Sequence, residues 1–213
     1  GRVFRISRVV AKSGFILGVF LFIGFALQTI GLQYTTASKS AFCTGMLVVL
    51  TPLVHFGAQN VLAVTKKPLK IGNLLGVSCA AIGLYLLTAP SGGGFNIGDG
   101  LTLICALMFA FYIVYLDTVP AHVDKMQLTF VMFLVCGMMG LISALAFEDI
   151  HTTFSAGFVI SMLYLAIPAT VVAMGVQNRY QGDTTPTRAA VIFAMEPVIA
   201  GIFAYCVRDE VIG

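Results

Sequence analysis

Residues 14–32 read GFILGVFLFIGFALQTIGL, a run without a single charged side chain. As a helix rising 1.5 Å per residue it would reach about 28 Å, close to the ~30 Å hydrocarbon core of a bilayer. Its apolar residues surround the helix instead of striping one face, as lipid-facing or fully buried helices require. Gly14 and Gly18 stand four apart, the small-xxx-small spacing that lets two membrane helices approach closely. Working outward, six more stretches of the same kind follow, at about 39–60, 71–88, 100–116, 127–147, 158–177 and 186–207. Short polar connectors separate them. The sequence therefore predicts an all-α, polytopic transmembrane helix bundle with seven spans.

Composition agrees with this reading. Hydrophobic residues make up 59% of the 213, charged residues 10%, and the mean hydropathy is +0.98. A soluble domain carries about a quarter charged residues to coat its surface, and that coat is missing here. The net charge of +3 does not point to nucleic acid, because the basic residues sit in short runs between the apolar stretches. With the amino-terminal side taken as inside, the inner connectors hold Arg2, Arg5, Arg8 and Lys12, then Lys66, Lys67 and Lys70, then Lys125, then Arg179 and Arg188. The outer ones hold Lys39 and Arg208. That split is how Lys and Arg orient membrane proteins, and one missed span would scramble it. Single cysteines placed at Lys67 and Lys125 of a cysteine-free full-length parent should accordingly be labelled only from the cytoplasm, and one at Gly93 only from outside. Labelling of all three from one side would refute seven spans.

The five cysteines, Cys43, Cys79, Cys105, Cys136 and Cys206, have no metal-like or redox-like spacing and lie in apolar runs, so they read as packed free thiols. The basic opening and the length of the first apolar run argue against a signal peptide. A first residue that is Gly suggests a portion of a longer protein.

An internal repeat adds architecture. Thr35-Thr36-Ala37-Ser38-Lys39-Ser40-Ala41 aligns with Thr184-Thr185-Pro186-Thr187-Arg188-Ala189-Ala190. Each joins a Thr/Ser-rich helix start to a basic residue, small residues and then an apolar helix containing proline. Five spans lie between the copies, and an odd number of crossings places them on opposite faces. This is an inverted-topology repeat, a plan common among secondary transporters.

At these residues a family resemblance becomes specific. Gln177-Asn178-Arg179-Tyr180-Gln181, continued by Thr184 through Ala190 and by Val191-Ile192-Phe193-Ala194-Met195-Glu196-Pro197-Val198, resembles the penultimate-helix signature of EamA-type proteins of the drug/metabolite transporter superfamily. The stretches Gln33 to Ser38 with Ala41 to Gly45, Gly76 to Leu87, and Asp124 with Leu128-Thr129-Phe130 are similar to the same family. The resemblance implies ten helices in two inverted halves, of which this chain would supply helices three to nine. Residues 1–90 would then belong to the first half and 91–213 to the second, within a bacterial inner membrane. It also implies a small-molecule substrate, no cofactor, the lipid bilayer as surroundings and a second copy as a potential homodimer partner. Met132 stands where such sequences often carry Gln, and Leu47 stands in the first half where Glu196 stands in the second.

Chemistry narrows the site. Glu196 is ten residues beyond Pro186, or about 15 Å along a helix, at the bilayer midplane. Pro197 follows it and cannot donate to the carbonyl of Phe193. An ionisable group at that depth is costly unless it faces protein or water. Gln28 can bind a polar solute or a neighbouring helix, and Gln177, Tyr112 and Tyr164 join it as substrate-binding candidates. Pro52 and Pro197 are candidate hinges. His55 falls near the inner headgroups, where an interfacial role is the better reading than a proton relay. Asp117 and Asp124 read as solvated connector residues, Pro90 to Asp99 as a polar connector, and its glycine-rich part, Pro90 through Gly98, as a flexible linker between halves. No His–Glu spacing suggests a metal site and no nucleotide-binding motif appears, so the expected function is secondary transport of a small organic metabolite. Two other classes are a membrane enzyme acting on a lipid-linked substrate, which would need a polar cluster at one membrane face, and a non-transporting scaffold.

Overall fold

A computed structural model describes residues 6–58, 75–79, 81–82, 85, 94–148, 155–193 and 195. Regular structure among these is helical throughout. The elements are α1 (Arg8–Gly31), α2 (Ala37–Gly45), α3 (Leu47–Ala58), α4 (Ile97–Thr118), α5 (Lys125–Phe147), α6 (Ala156–Tyr164), a π-helix (Leu165–Val172), α7 (Ala173–Tyr180), a short 3₁₀ turn (Gln181–Asp183) and α8 (Pro186–Phe193). Five segments of the described residues are long and apolar enough to cross a membrane: Arg8–Gly31, Lys39–Ala58, Ile97–Thr118, Lys125–Phe147 and Ala156–Asp183. They coincide with five of the expected spans. The other two, 71–88 and 186–207, lie largely outside the described residues. Helical backbone is present in them at 75–79 and at Pro186–Phe193.

Hydrogen-bonding side chains set the helix starts. Asp124 precedes α5 and accepts from the N–H groups of Met126 (2.9 Å) and Gln127 (3.4 Å). Ser155 accepts from Phe158 N–H at the head of α6, and Thr36 from Lys39 N–H at the head of α2. Thr185 accepts from Arg188 N–H ahead of α8, with Pro186 in the first helical position, where its missing N–H costs nothing. Two aspartates read as connector residues turn out to be helical: Asp99 lies in the first turn of α4 and Asp117 in its last. Hydropathy ends a span at the first charge, whereas the helix continues for as long as its backbone bonds are capped.

Two spans are irregular inside. Between α2 and α3, the N–H of Met46 is shared between the carbonyls of Phe42 and Cys43. Just beyond, the Thr51 hydroxyl donates to the Leu47 carbonyl (2.7 Å), a contact that bends helices, and Pro52 has no N–H to offer Val48. In the sixth span Pro168 falls inside the π-helix, whose wider turn avoids the clash of a proline ring with the carbonyl four residues back. Thr170 follows the same register, its hydroxyl reaching the carbonyl of Leu165 five residues earlier (2.8 Å).

The chain forms two units. One comprises Gly1–Phe22 with Val119–Asp183. Here the Gly14/Gly18 pair is used as its spacing suggests. A Cβ on Gly14 would lie 2.7 Å from Val131 Cγ1, and one on Gly18 2.7 Å from the Met132 carbonyl. The apolar window of Ala156–Asp183, by contrast, has none of its residues buried. The other unit comprises Ile23–Thr118 with Thr184–Gly213. Its central element is α4, against which α2, α3 and α8 pack. Gly98, Thr102, Cys105, Tyr112 and Leu116 of α4 are buried along a stripe of three-, four- and seven-residue steps. Phe109 meets Phe25 edge-on with ring centres 5.7 Å apart. Val48, Val77 and Ala190 form an apolar cluster, lined by Leu47, Val49 and Val191.

Candidate functional site

Membrane helices bury polar groups only where these bond to each other or to freed backbone, so such groups mark where a solute can be handled. In the second unit, Gln28 is half-buried three residues before the end of α1, and its amide approaches the Thr44 hydroxyl of α2 at 3.5 Å. Thr51 and Pro52 are buried at the irregularity of α3, where the Val48 carbonyl lacks a proline partner. His55 is buried one turn further on, deeper in protein than an interfacial histidine needs to be. Tyr112, 1% exposed, sits on the packed face of α4. Gln28, Pro52 and Tyr112 thus belong to one unit. Glu196 and Pro197 lie outside the described residues.

Gln177 and Tyr164 belong to the first unit. Gln177 is half-buried and donates to Gln181 one turn on (3.1 Å). Tyr164 is 67% exposed at the start of the π-helix. Beside Gln177, the buried Asn178 ties α7 to α5: its amide donates to the Thr129 hydroxyl (2.9 Å) and contacts the Met132 sulfur (3.8 Å). Thr129 in turn donates to the Lys125 carbonyl. The residues of this link were quoted above for their resemblance, but nothing in the spacing of Asn178 and Thr129 says that they meet.

The densest polar cluster was not among the sequence-derived candidates. Asn96 and Asp99 cap α4 reciprocally, with Asp99 N–H donating to Asn96 Oδ1 (2.9 Å) and Asn96 N–H to Asp99 Oδ2 (3.1 Å). The other carboxylate oxygen accepts from the Thr35 hydroxyl. Lys39 Nζ lies 3.8 Å from Asp99 Oδ2 and donates to the Gly94 carbonyl at 3.4 Å. Lys39 and Asp99 side chains are only 13% and 6% exposed. Asn-x-x-Asp before an apolar run is a capping-box pattern and was visible in the sequence; its bonds to Thr35 and Lys39 join residues too far apart in the chain to be read there.

Among the described residues, no group of three His, Cys, Asp or Glu side chains is arranged to hold a metal ion. Among the described residues, the polar groups held inside the apolar helices are amides, hydroxyls, the buried His55 imidazole and the Lys39–Asp99 pair.

Comparison with known proteins gives the same direction. The sequence model of the EamA-like transporter family matches residues 96–213, more than half of the chain. Over 205 residues the chain is 34% identical to a protein of Archaeoglobus fulgidus described as an uncharacterized transporter. The alignment takes in 94% of this chain and 62% of that protein, so the chain spans less than two thirds of its relative's length.

Proposed function

This chain belongs to the EamA-like transporter family, and from that premise we propose that it is the greater part of a secondary transporter carrying a small organic metabolite, such as an amino acid or drug-like solute, by alternating access. Family membership supports the transporter reading; transport itself, the solute class and the cycle are the proposal. One observation supports them above the others. The second unit places the Gln28–Thr44 contact and the Thr51–Pro52 irregularity on helices packed around α4 or leading into it. Interrupted helices with unwound or uncapped backbone are where transporters of inverted-repeat plan hold their solutes. Glu196, Gln28 and Tyr112, with Gln177 and Tyr164, are proposed to contact the solute, and Pro52 and Pro197 to serve as hinges. The surroundings are proposed to be a cell membrane, of which a bacterial inner membrane and the archaeal membrane of the relative are equivalent cases.

The test is flux. Full-length parent in proteoliposomes, preloaded with unlabelled amino acids in one arm and amphiphilic amines in another, should exchange them for labelled counterparts without ATP. Exchange that matches protein-free vesicles across both arms would overturn the proposal. Conversion of a lipid-linked substrate in the same vesicles would favour the enzyme class instead.

A further inference from the structure

Two helix starts in the second unit are built alike. The Thr36 hydroxyl accepts from the N–H of Lys39 (3.3 Å), and the Thr36 carbonyl from the N–H of Ser40 (2.9 Å). The Thr185 hydroxyl accepts from the N–H of Arg188 (3.4 Å), and the Thr185 carbonyl from the N–H of Ala189 (2.9 Å). The residue after the basic one is buried in both, Ser40 at 2% exposed and Ala189 at 3%. The two segments of the internal repeat thus share a cap, a register and an inward face as well as a composition. They differ in what they hold. On the first copy Thr35 and Lys39, one turn apart, both reach the carboxylate of Asp99 at the start of α4: the Thr35 hydroxyl donates to Oδ1, and Lys39 Nζ lies 3.8 Å from Oδ2. On the second copy the same two places are taken by Thr184 and Arg188. Thr184 is half-buried and Arg188 exposed, and among the described residues no carboxylate bonds to either. A hydroxyl and a cation one turn apart at a capped helix start make a carboxylate site, and this fold shows that site filled in the first copy.

We propose that Thr184 and Arg188 form the second carboxylate site of the repeat, and that its occupant is an Asp or Glu at the start of the helix that opens the parent's first half, a segment outside this chain. α4 follows the glycine-rich linker and so opens the second half. An inverted repeat pairs it with the helix that opens the first half. With five spans to a half, that helix stands two spans ahead of α1. It therefore starts at the inner face, the side to which the Lys/Arg distribution assigns Arg188. The alignment takes in 62% of the Archaeoglobus fulgidus protein, which leaves room in that relative for such a helix. The carboxylate also suits its own helix, since an acid in the first turn meets the positive end of the dipole. The inference rests on the two-half plan of the family and not on transport.

The experiment uses the cysteine-free full-length parent in membranes. Arg188→Cys is combined in turn with a cysteine at each position of the first two turns of the opening helix, and a short bis-methanethiosulfonate joins thiols that lie within an ion pair's reach. Lys39→Cys with Asp99→Cys is the reference pair. Mass spectrometry should find Arg188→Cys joined to a first-turn position that is Asp or Glu in the parent, at a yield like that of the reference. Arg188→Cys with Asp99→Cys should give no product, because the Lys/Arg distribution sets these two at opposite faces. Product at no first-turn acid, or a parent without an acid there, overturns the proposal. Charge exchange supplies a second readout. Arg188→Glu should lower the yield of monodisperse parent about fivefold, the upper scale of a part-exposed ion pair. Changing the partner acid to Arg in the same chain should restore it. A loss that the exchange does not restore overturns the pairing and assigns Arg188 to lipid headgroups. Neither measurement uses a solute, so its failure leaves the transport proposal standing, and failed exchange in proteoliposomes leaves the pairing standing.

Discussion

Replacing Gly98 with leucine is expected to cost the protein about 3 kcal/mol of stability in detergent. A Cβ at this position would lie 2.6 Å from the Gly31 carbonyl oxygen, 2.9 Å from Thr35 N and 2.9 Å from Tyr34 C. All three are backbone atoms, so no rotamer change relieves the contact, and α4 must move off the end of α1. Overpacking in well-packed interiors costs about 1–3 kcal/mol and sometimes more, and a backbone-to-backbone clash belongs at the upper end. Displacement would also pull Asp99 away from Thr35, because the two residues are joined immediately beside the clash. Gly140→Ala on α5 serves as the control, since an added Cβ there meets nothing within 4 Å. It should be neutral or slightly stabilising, because alanine favours the helix by up to ~1 kcal/mol. Thermal unfolding of both purified variants, followed by circular dichroism, is the measurement. A Gly98→Leu midpoint equal to that of the parent would refute the close approach of α1 and α4.

Glu196→Gln is expected to leave the parent inserted and folded while reducing solute exchange at least tenfold, the loss of about 1.4 kcal/mol in the rate-limiting step. Thr185 caps α8 and Pro186 occupies its first position. Ten residues further, a chain that stayed helical would reach ~15 Å, the midplane of the hydrocarbon core. A carboxyl group there costs a few kcal/mol in a lipid-facing position, so a protein that keeps it uses it for a solute, for a coupling proton or for a bond between helices. Glutamine preserves size and hydrogen bonding and removes the charge and the titration. A helix-to-helix bond would survive that change, and transport would survive with it. Exchange kinetics of Glu196→Gln equal to those of the parent at every pH tested would therefore assign Glu196 to packing.

What the sequence revealed follows from the range of the forces involved. Spans are legible because lipid imposes a single requirement on every residue of a long segment, and residues 14–32 satisfy it without exception. Caps are legible because they act over three residues: Thr185 and Pro186 could be placed from their neighbours alone, whereas Asp124, read as a solvated connector residue, also caps α5. Gly14 and Gly18 signalled a close contact, and it exists, but the sequence did not say that Val131 and Met132 would fill it. Asp99 was read as the end of a polar connector because its charge interrupts the hydropathy, although its carboxylate caps the helix start. The polar links from Thr35 to Asp99 and from Asn178 to Thr129 were illegible for a different reason. Each joins positions brought together only by packing, and each uses residue types common on any helix surface. The π-helix around Pro168 was hidden by a run whose composition is the same as that of a regular span.

The glycines of α1 carry a consequence for how the chain is made. Gly18 is shaped to receive Met132 and Val135, and Gly31 to receive Thr102. Ribosomes add about 5–20 residues per second, so α1 enters the membrane on the order of ten seconds before those partners exist. Through that interval its notched surface faces lipid, or whatever insertase or chaperone receives it. Substitutions that enlarge these glycines would then act after insertion and before assembly, leaving a chain that is threaded correctly and cannot close. Such a defect would register as rapid turnover of full-length protein in the cell, with topology unchanged.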